Sequence, residues 1–352
     1  MRHDGPVSEP GARLHRAARL EDRVHALLKR WLRRRGWVPR VVAYTGYGAD
    51  GWVRVLARVL LAPPDTRPRE LRLGRGWRRF LTASATGVVV SVDVGGRRHD
   101  VCSDRGGYVD AVLAADLPPG WAEATFTVDG GPASTARVRV VDPGGGLGVV
   151  SDIDDTVLVT ALPRPLLAAW NTFVRHEQSR RPVRGMATLY REIERHHPDA
   201  PFVYLSTGAW NVAPALEQFL ARHAYPSGPL LMTDWGPTAE GWFRSGREHK
   251  RRELRRLVDE LPQVRWLLVG DDGQHDPELY AEVAEDEPER VRAVAIRQLS
   301  ATEQVLTHGT TEPLPERGPA RRAARAAEVR APDGFGLLAA LRSGGHLDGP
   351  RT

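Results

Sequence analysis

Cysteine and lysine are both nearly missing from this sequence. The single cysteine, Cys102, excludes an intrachain disulfide. That absence suits a reducing compartment such as the cytoplasm. No apolar run reaches the roughly 20 residues that a membrane-spanning helix needs, so no integral membrane segment is expected. The opening stretch MRHDGPVSEPGARLHRAARL lacks the apolar core of a secretory signal. Lysine is scarce although positive charge is not. Among 50 Lys plus Arg residues, only Lys29 and Lys250 are lysines. A compact ammonium and a planar guanidinium are not interchangeable. A lysine kept at 250 against this bias marks a place where a small cation is needed, although Lys29 has no such role.

The formal charge of +6 and the pI near 9.9 describe a basic molecule. Such a surface attracts phospholipid, nucleic acid or phosphate esters. No helix-turn-helix or aromatic RNA-binding motif accompanies the charge, so no specific nucleic-acid partner is expected.

With 352 residues and 41% apolar composition, the chain has room for two domains. Residues 1–36 read as a disordered start followed by a basic amphipathic helix. Its Leu14, Leu20, Val24, Leu27, Leu28, Trp31 and Leu32 fall near one face, and arginines fill the rest. A helix docked on its own domain is the favoured reading. A helix lying on a membrane surface is the other. Residues 37–142 hold short Val-rich alternating runs between Gly, Pro and Asp turns, which predicts an antiparallel β-sandwich of about seven strands. Asp104 to Tyr108 read as a turn there, and Asp142-Pro143-Gly144-Gly145-Gly146 reads as a linker. From 147 to 307 strand and helix patterns alternate. Strands are expected at 147–152, 202–206, 229–233, 265–270 and 291–297. Helices are expected at 164–177, 185–196, 211–224, 247–260 and 276–285. That alternation predicts an α/β fold with a doubly wound parallel sheet. Residues 158–184 leave room for a modest helical insertion over the site. Residues 308–352 read as a flexible tail with a short docking helix at 335–341.

The chemistry concentrates in LGVVSDIDDTV, residues 147–157, where an apolar strand runs into Asp152, Asp154 and Asp155. Like charges held this close repel and raise one another's pKa, so the cluster needs a cation or a chemical role. A solvated turn or a plain calcium or magnesium site is the bland alternative for this stretch alone. Three later stretches follow in order. Phe202 to Leu205 end in Ser206-Thr207-Gly208. Lys250 sits in GREHKRREL, at an expected helix start. Trp266 to Val269 end in Gly270-Asp271-Asp272-Gly273-Gln274-His275-Asp276.

Together these resemble motifs I to IV of the haloacid dehalogenase superfamily: D-x-D-x-T, a strand-end hydroxyl, a lysine, and G-D-x4-D. Within that superfamily DIDDT, FVYLSTGAWN, LMTDWGPT with GWFRSGREHK, and GDDGQHDPELY resemble a phosphatidate phosphatase catalytic domain. That domain is known from a fungal actin-patch protein with bacterial relatives. The likeness covers about 147–300. It implies Mg2+-dependent hydrolysis of phosphatidate to diacylglycerol and phosphate at a membrane surface. Asp152 is then the nucleophile and Asp154 the acid/base. Ser206, Thr207, Gly208, Lys250 and Arg247 bind the phosphoryl group. Asp152, the Asp154 carbonyl, Asp271 and Asp276 serve the metal. The implied location is the cytoplasm, peripheral at the inner face of the membrane. The fungal protein's actin-linked partners are not implied, because this chain lacks its long proline-rich tail.

Several roles stay open. Asp155 either orients the metal's waters or caps the following turn, and Asp272 is a further extra carboxylate. His249 and His275 read as ordinary surface histidines, with substrate binding as the alternative. Asp234, Trp235, Arg244 and Arg247 either grip a second part of the substrate or make structural contacts. The same motifs suit a soluble phosphomonoesterase equally well. A non-catalytic phosphate-sensing or tethering module is the reading from another class.

Overall fold

The computed structural model describes residues 27, 30–66, 83–159, 181–233, 242–273, 275–308 and 326–348, without the side chains of 242–245 and 306–308. Most of the expected basic amphipathic helix lies outside them. So do the 164–177 helix, Asp234, Trp235 and the side chain of Arg244. Residues 30–34 are helical, with Leu32 buried and Trp31 exposed beneath the Arg35 guanidinium.

Seven strands form the first sheet: β1 (Val38–Ala49), β2 (Trp52–Ala62), β3 (Val89–Val94), β4 (Arg97–Cys102), β5 (Tyr108–Ala114), β6 (Gly120–Val128) and β7 (Ser134–Val140). They lie in the order β4-β3-β6-β7-β1-β2-β5. A strict antiparallel arrangement is corrected at one place, because β1 and β7 pair in parallel. The pattern of short Val-rich runs fixes strand identity but not pairing partner. The edge strands β4 and β5 are joined by residues 103–107 alone. Such a link reaches only about 20 Å, whereas a flat seven-stranded sheet is about 29 Å wide, so the sheet must curl. One face of it accordingly shares a single apolar cluster that includes Val41, Val55, Val92, Phe126 and Val138. On the other face, several side chains of β1 and β2 and the first residue of β5 are also buried. Val42, Tyr44, Tyr47, Leu56 and Tyr108 belong to the same core as the second sheet.

The turn at Asp142–Gly145 leads directly into that second sheet. Asp142 Oδ1 accepts from Gly144 N at 2.6 Å, so the expected linker is a tight turn. The strands are β8 (Gly146–Asp152), β9 (Phe202–Ala209), β10 (Leu230–Thr233), β11 (Val264–Asp271), β12 (Val291–Arg297) and β13 (Ala327–Ala331). Every neighbouring pair is parallel. Strands β8 and β11 are buried along almost their whole length, as a parallel sheet covered on both faces requires. The helices are α1 (Met186–His196), α2 (Ala213–Arg222), α3 (Trp242–Glu260), α4 (Asp276–Asp286), α5 (Ala301–His308) and α6 (Gly334–Ser343). Helix α3 packs on β9 and β10, and α4 on β11 and β12.

The tail over 308–352 is corrected in part. Residues 327–331 add a sixth strand beside β12, and α6 buries Leu337, Leu338 and Leu341 against the sheet and α1. Edge pairing and three leucines stabilise a segment whose composition reads as polar.

The order β10-β9-β8-β11-β12-β13 reverses direction at β8 and β11. From β8 the chain steps outward to β9 and β10, then crosses back to β11 on the other side. At such a point two connections leave in opposite directions and open a crevice at the carboxyl ends of the strands. Asp152 ends β8 and Asp271 ends β11.

Candidate active site

Lys250 stands at the centre of this crevice. Its Nζ lies 2.6 Å from Asp152 Oδ1 and 2.7 Å from Asp276 Oδ1. All three side chains are buried. Burial disfavours the Lys250 ammonium, but the carboxylates of Asp152 and Asp276 outweigh it and the pKa rises, so the lysine stays charged. Burial pushes Asp152 well above the usual carboxylate range. Lys250 pulls it down, while Asp276 and Asp154 push it further up. Asp271 is likewise raised, by burial first and then by Asp276, Asp152 and Asp155.

Asp152, Asp271 and Asp276 bring carboxylate oxygens within 4.8 Å of one another. One ammonium does not balance three buried carboxylates. Asp152 Oδ2 and Asp276 Oδ2 are both buried with no protein partner. All-oxygen donors with unbalanced negative charge fit a hard divalent cation such as magnesium, and a cation there would reverse the upward pKa shifts. Glycine at 270 is dictated by this packing. A Cβ there would lie 2.7 Å from Asp276 Oδ2 and 2.8 Å from the Tyr280 ring.

Asp271, the backbone at Asp152 and the Asp154 carboxylate each have a local support. Asp271 Oδ1 accepts from Gly273 N at 2.8 Å, and Thr156 Oγ1 donates to Asp271 Oδ2 at 3.4 Å. Ser151 Oγ donates to the Asp152 carbonyl at 2.6 Å and lies 2.5 Å from Tyr190 Oη, which fastens the end of β8. Ser206 Oγ donates to Asp154 Oδ2 at 3.3 Å and accepts from Gly208 N at 3.0 Å. The hydroxyl from β9 therefore touches the motif I turn. Thr207 and Gly208 offer their carbonyls to Thr233 Oγ1, which ties β9 to β10.

The peripheral candidates sort differently. Arg247 reaches across to Glu278 on α4 at 3.0 Å, a structural pair between helices, while its Nε is buried without a partner. Asp272 points away from the three-carboxylate group. Its Oδ1 accepts from Leu299 N at 2.8 Å and Gln304 Nε2 at 2.9 Å, so it anchors the start of α5. Asp155 adopts a φ of 58°, the left-handed region that Asp tolerates better than most residues, and closes the turn through Asp155 N to Leu158 O. The expectation of a surface His249 is corrected. It is buried on α3, and burial first, then Arg252, lowers its pKa to about 3. Residue types alone do not reveal which face of α3 it occupies. His275 caps α4, its carbonyl accepting from Leu279 N.

Sequence reasoning passed over Arg297, whose Nη1 donates to the Asp155 carbonyl at 2.6 Å. It also passed over Trp210, which follows the Ser206 strand and packs against Tyr44 of the first sheet. Arginine is too abundant here, and an apolar Trp too ordinary, for either to stand out.

Comparison with known proteins bears on this site. Residues 147–298 match the family model of the phosphatidate phosphatase APP1 catalytic domain. Phosphatidate phosphatase APP1 of Saccharomyces cerevisiae is 26% identical over 153 residues, covering 43% of this chain and 26% of its own length. An uncharacterized protein of Schizosaccharomyces pombe is 27% identical over 176 residues, covering 47% of this chain and 27% of its own. The chain thus spans about a quarter of each of these curated relatives. Among solved structures, a carbohydrate acetylesterase from Xanthomonas citri covers 77% of this chain and 73% of its own at 12% identity, with a TM-score of 0.29 that supports no argument. The segment that folds into β8 through β12, and carries every residue of the crevice, resembles the catalytic domain of phosphatidate phosphatase APP1.

Proposed function

We propose that this chain is a phosphatidate phosphatase that uses magnesium and an aspartyl-phosphate, on a sheet of the haloacid dehalogenase type. The observation that carries the proposal is the Asp152–Lys250–Asp276 group at the reversal of the parallel sheet. A carboxylate with one oxygen on an ammonium and the other without a protein partner suits a nucleophile for phosphorus. The family match to 147–298 supports the lipid substrate.

In this reading an Asp152 carboxylate oxygen bonds to phosphorus as the bond from phosphorus to the ester oxygen breaks. Asp154 gives its proton to the departing alkoxide, and diacylglycerol leaves. Asp154 then takes a proton from the water that attacks the aspartyl-phosphate. The bond between phosphorus and Asp152 breaks, freeing phosphate and restoring the carboxylate. Lys250 Nζ and Ser206 Oγ, with the backbone of Thr207 and Gly208, bind the phosphoryl oxygens and are in place before charge develops on them. Arg247 is a further candidate for the substrate phosphate. Asp152, Asp271 and Asp276, with the Asp154 carbonyl, would hold magnesium, which supplies positive charge to the transferring group. Among the described residues no helix is long and apolar enough to cross a membrane. In this reading the enzyme meets its lipid from the cytoplasm, at the membrane surface.

The test is magnesium-dependent phosphate release from phosphatidate in mixed micelles beside a panel of soluble phosphate esters. Asp152→Asn removes the nucleophile with little change of shape. Lipid turnover that vanishes in this variant is the expected result. Turnover of soluble esters alone would discard the lipid and keep the chemistry. Magnesium binding without any turnover would point to a sensing module instead.

A further inference from the structure

We infer that the N-terminal sheet is a positioning part of the active site, holding the Ser206 strand through Trp210 and the Lys250 helix through Glu260. The inference rests on the phosphatase reading above and assigns a task to residues 37–142.

The first hold is aromatic. Trp210 begins the turn that leaves β9, two residues beyond Gly208. Its ring centroid lies 4.8 Å from that of Tyr44 on β1 and 6.2 Å from that of Tyr108 on β5. These are the separations at which aromatic pairs attract. The Arg58 guanidinium lies over the Tyr108 ring at 4.9 Å. The register of β1 against β2 shifts between Tyr44 and Tyr47. Three residues apart on a regular strand, these tyrosines would face opposite ways. The bulge turns both toward the parallel sheet, as bulges do when they re-aim a side chain.

The second hold is ionic. Glu253, Arg256 and Glu260 recur at helical spacing on α3, beginning one turn beyond Lys250. Glu260 accepts from Tyr47 Oη at 2.7 Å and pairs with Arg54 of β2. Arg54 also pairs with Asp110 of β5, and Arg256 meets Asp110 Oδ2 at 2.7 Å and pairs with Glu253. Three strands of the first sheet thus grip one stripe of the helix. Such a network is satisfied in one rotation and one axial position of α3, and that setting is where Lys250 meets Asp152 and Asp276. A displacement of about 1 Å at a reacting group can cost about a hundredfold in rate.

The two holds predict different losses, measured on the full chain far below its melting temperature. Glu260→Ala is expected to lower kcat for a soluble phosphate ester by about ten- to a hundredfold with a smaller change in KM. Tyr44→Ala is expected to weaken the binding of inorganic phosphate, measured by calorimetry with magnesium present, by about tenfold or more. Glu260→Gln and Tyr44→Phe keep the shape and should fall between these variants and the unsubstituted chain. They also decide the matter if an alanine variant does not fold. Folded variants that melt lower but keep kcat and phosphate affinity would overturn the inference, leaving the sheet as packing only. If the unsubstituted chain binds phosphate but hydrolyses no ester, the phosphatase reading falls and the phosphate affinities still decide this inference. If it binds none, both fall.

Discussion

Arg297 joins three parts of the chain at the motif I turn. Its guanidinium donates to the Asp155 carbonyl at 2.6 Å, pairs with Glu303 at 2.5 Å and donates to the Pro332 carbonyl at 3.3 Å. Arg297→Met should destabilise the fold by about 1–3 kcal/mol in urea unfolding, because a buried carbonyl loses its donor. It should also lower turnover by loosening the turn that carries Asp154, and Arg297→Lys should recover only part of either. His249 gives the pH dependence its sign. Its folded pKa is lowered to about 3, so the unfolded chain binds the extra proton first. The histidine's contribution to stability is complete above the unfolded value of about 6.5 and fades as pH falls toward 3. Lys250, Arg252 and Arg256 act against its protonation, and Glu253 lies 3.8 Å from it. Unfolding midpoints between pH 4 and 8 should therefore fall less steeply on the acid side in His249→Gln. Equal slopes would place the titration elsewhere. Asp152 and Asp271 stand out in the sequence as strand-end acids, Lys250 as a rare lysine, and Ser206 and Asp276 through the pattern of the stretches that hold them. Arg297 does not, because all but two of the 50 cationic side chains are arginine and most positions look alike.

The backbone contact between α6 and the start of α1 fixes the C-terminal elements. Gly334 N donates to the Arg184 carbonyl at 2.9 Å, and a Cβ on Gly334 would lie 2.3 Å from Gly185 C. Gly334→Ala should cost about 1–3 kcal/mol, since neither backbone can retreat from a packed core. Proteolysis should then cut first within residues 326–348, and an unchanged melting temperature would refute the contact. The five parallel strands that bear or flank the motifs were legible because fully buried strands are continuous apolar runs. Strand β13 was not, because AEVRA is short, half-exposed and preceded by Arg, Ala, Glu and Pro. The parallel pairing of β1 with β7 was equally hidden. Alternation shows which face of a strand is apolar and leaves its neighbour unspecified.

For the molecule as a whole, the proposed magnesium site ties cation binding to stability. Magnesium should raise the melting temperature, and EDTA should reverse the rise. At a free concentration of one hundred times Kd, the stabilisation is about 2.7 kcal/mol. Asp276→Asn should shrink this response, and sodium at equal ionic strength should not reproduce it. The similarity to known catalytic domains stops at residue 298, one residue past the end of β12. The sheet does not stop there, because Ala293 to Arg297 pair with Ala327 to Ala331. The matched stretch is therefore shorter than the sheet. A fragment cut at 298 would bare a row of backbone donors and acceptors along β12, a template for joining other chains edge to edge. Such a fragment should gather into aggregates, whatever the chemistry of its intact carboxylates.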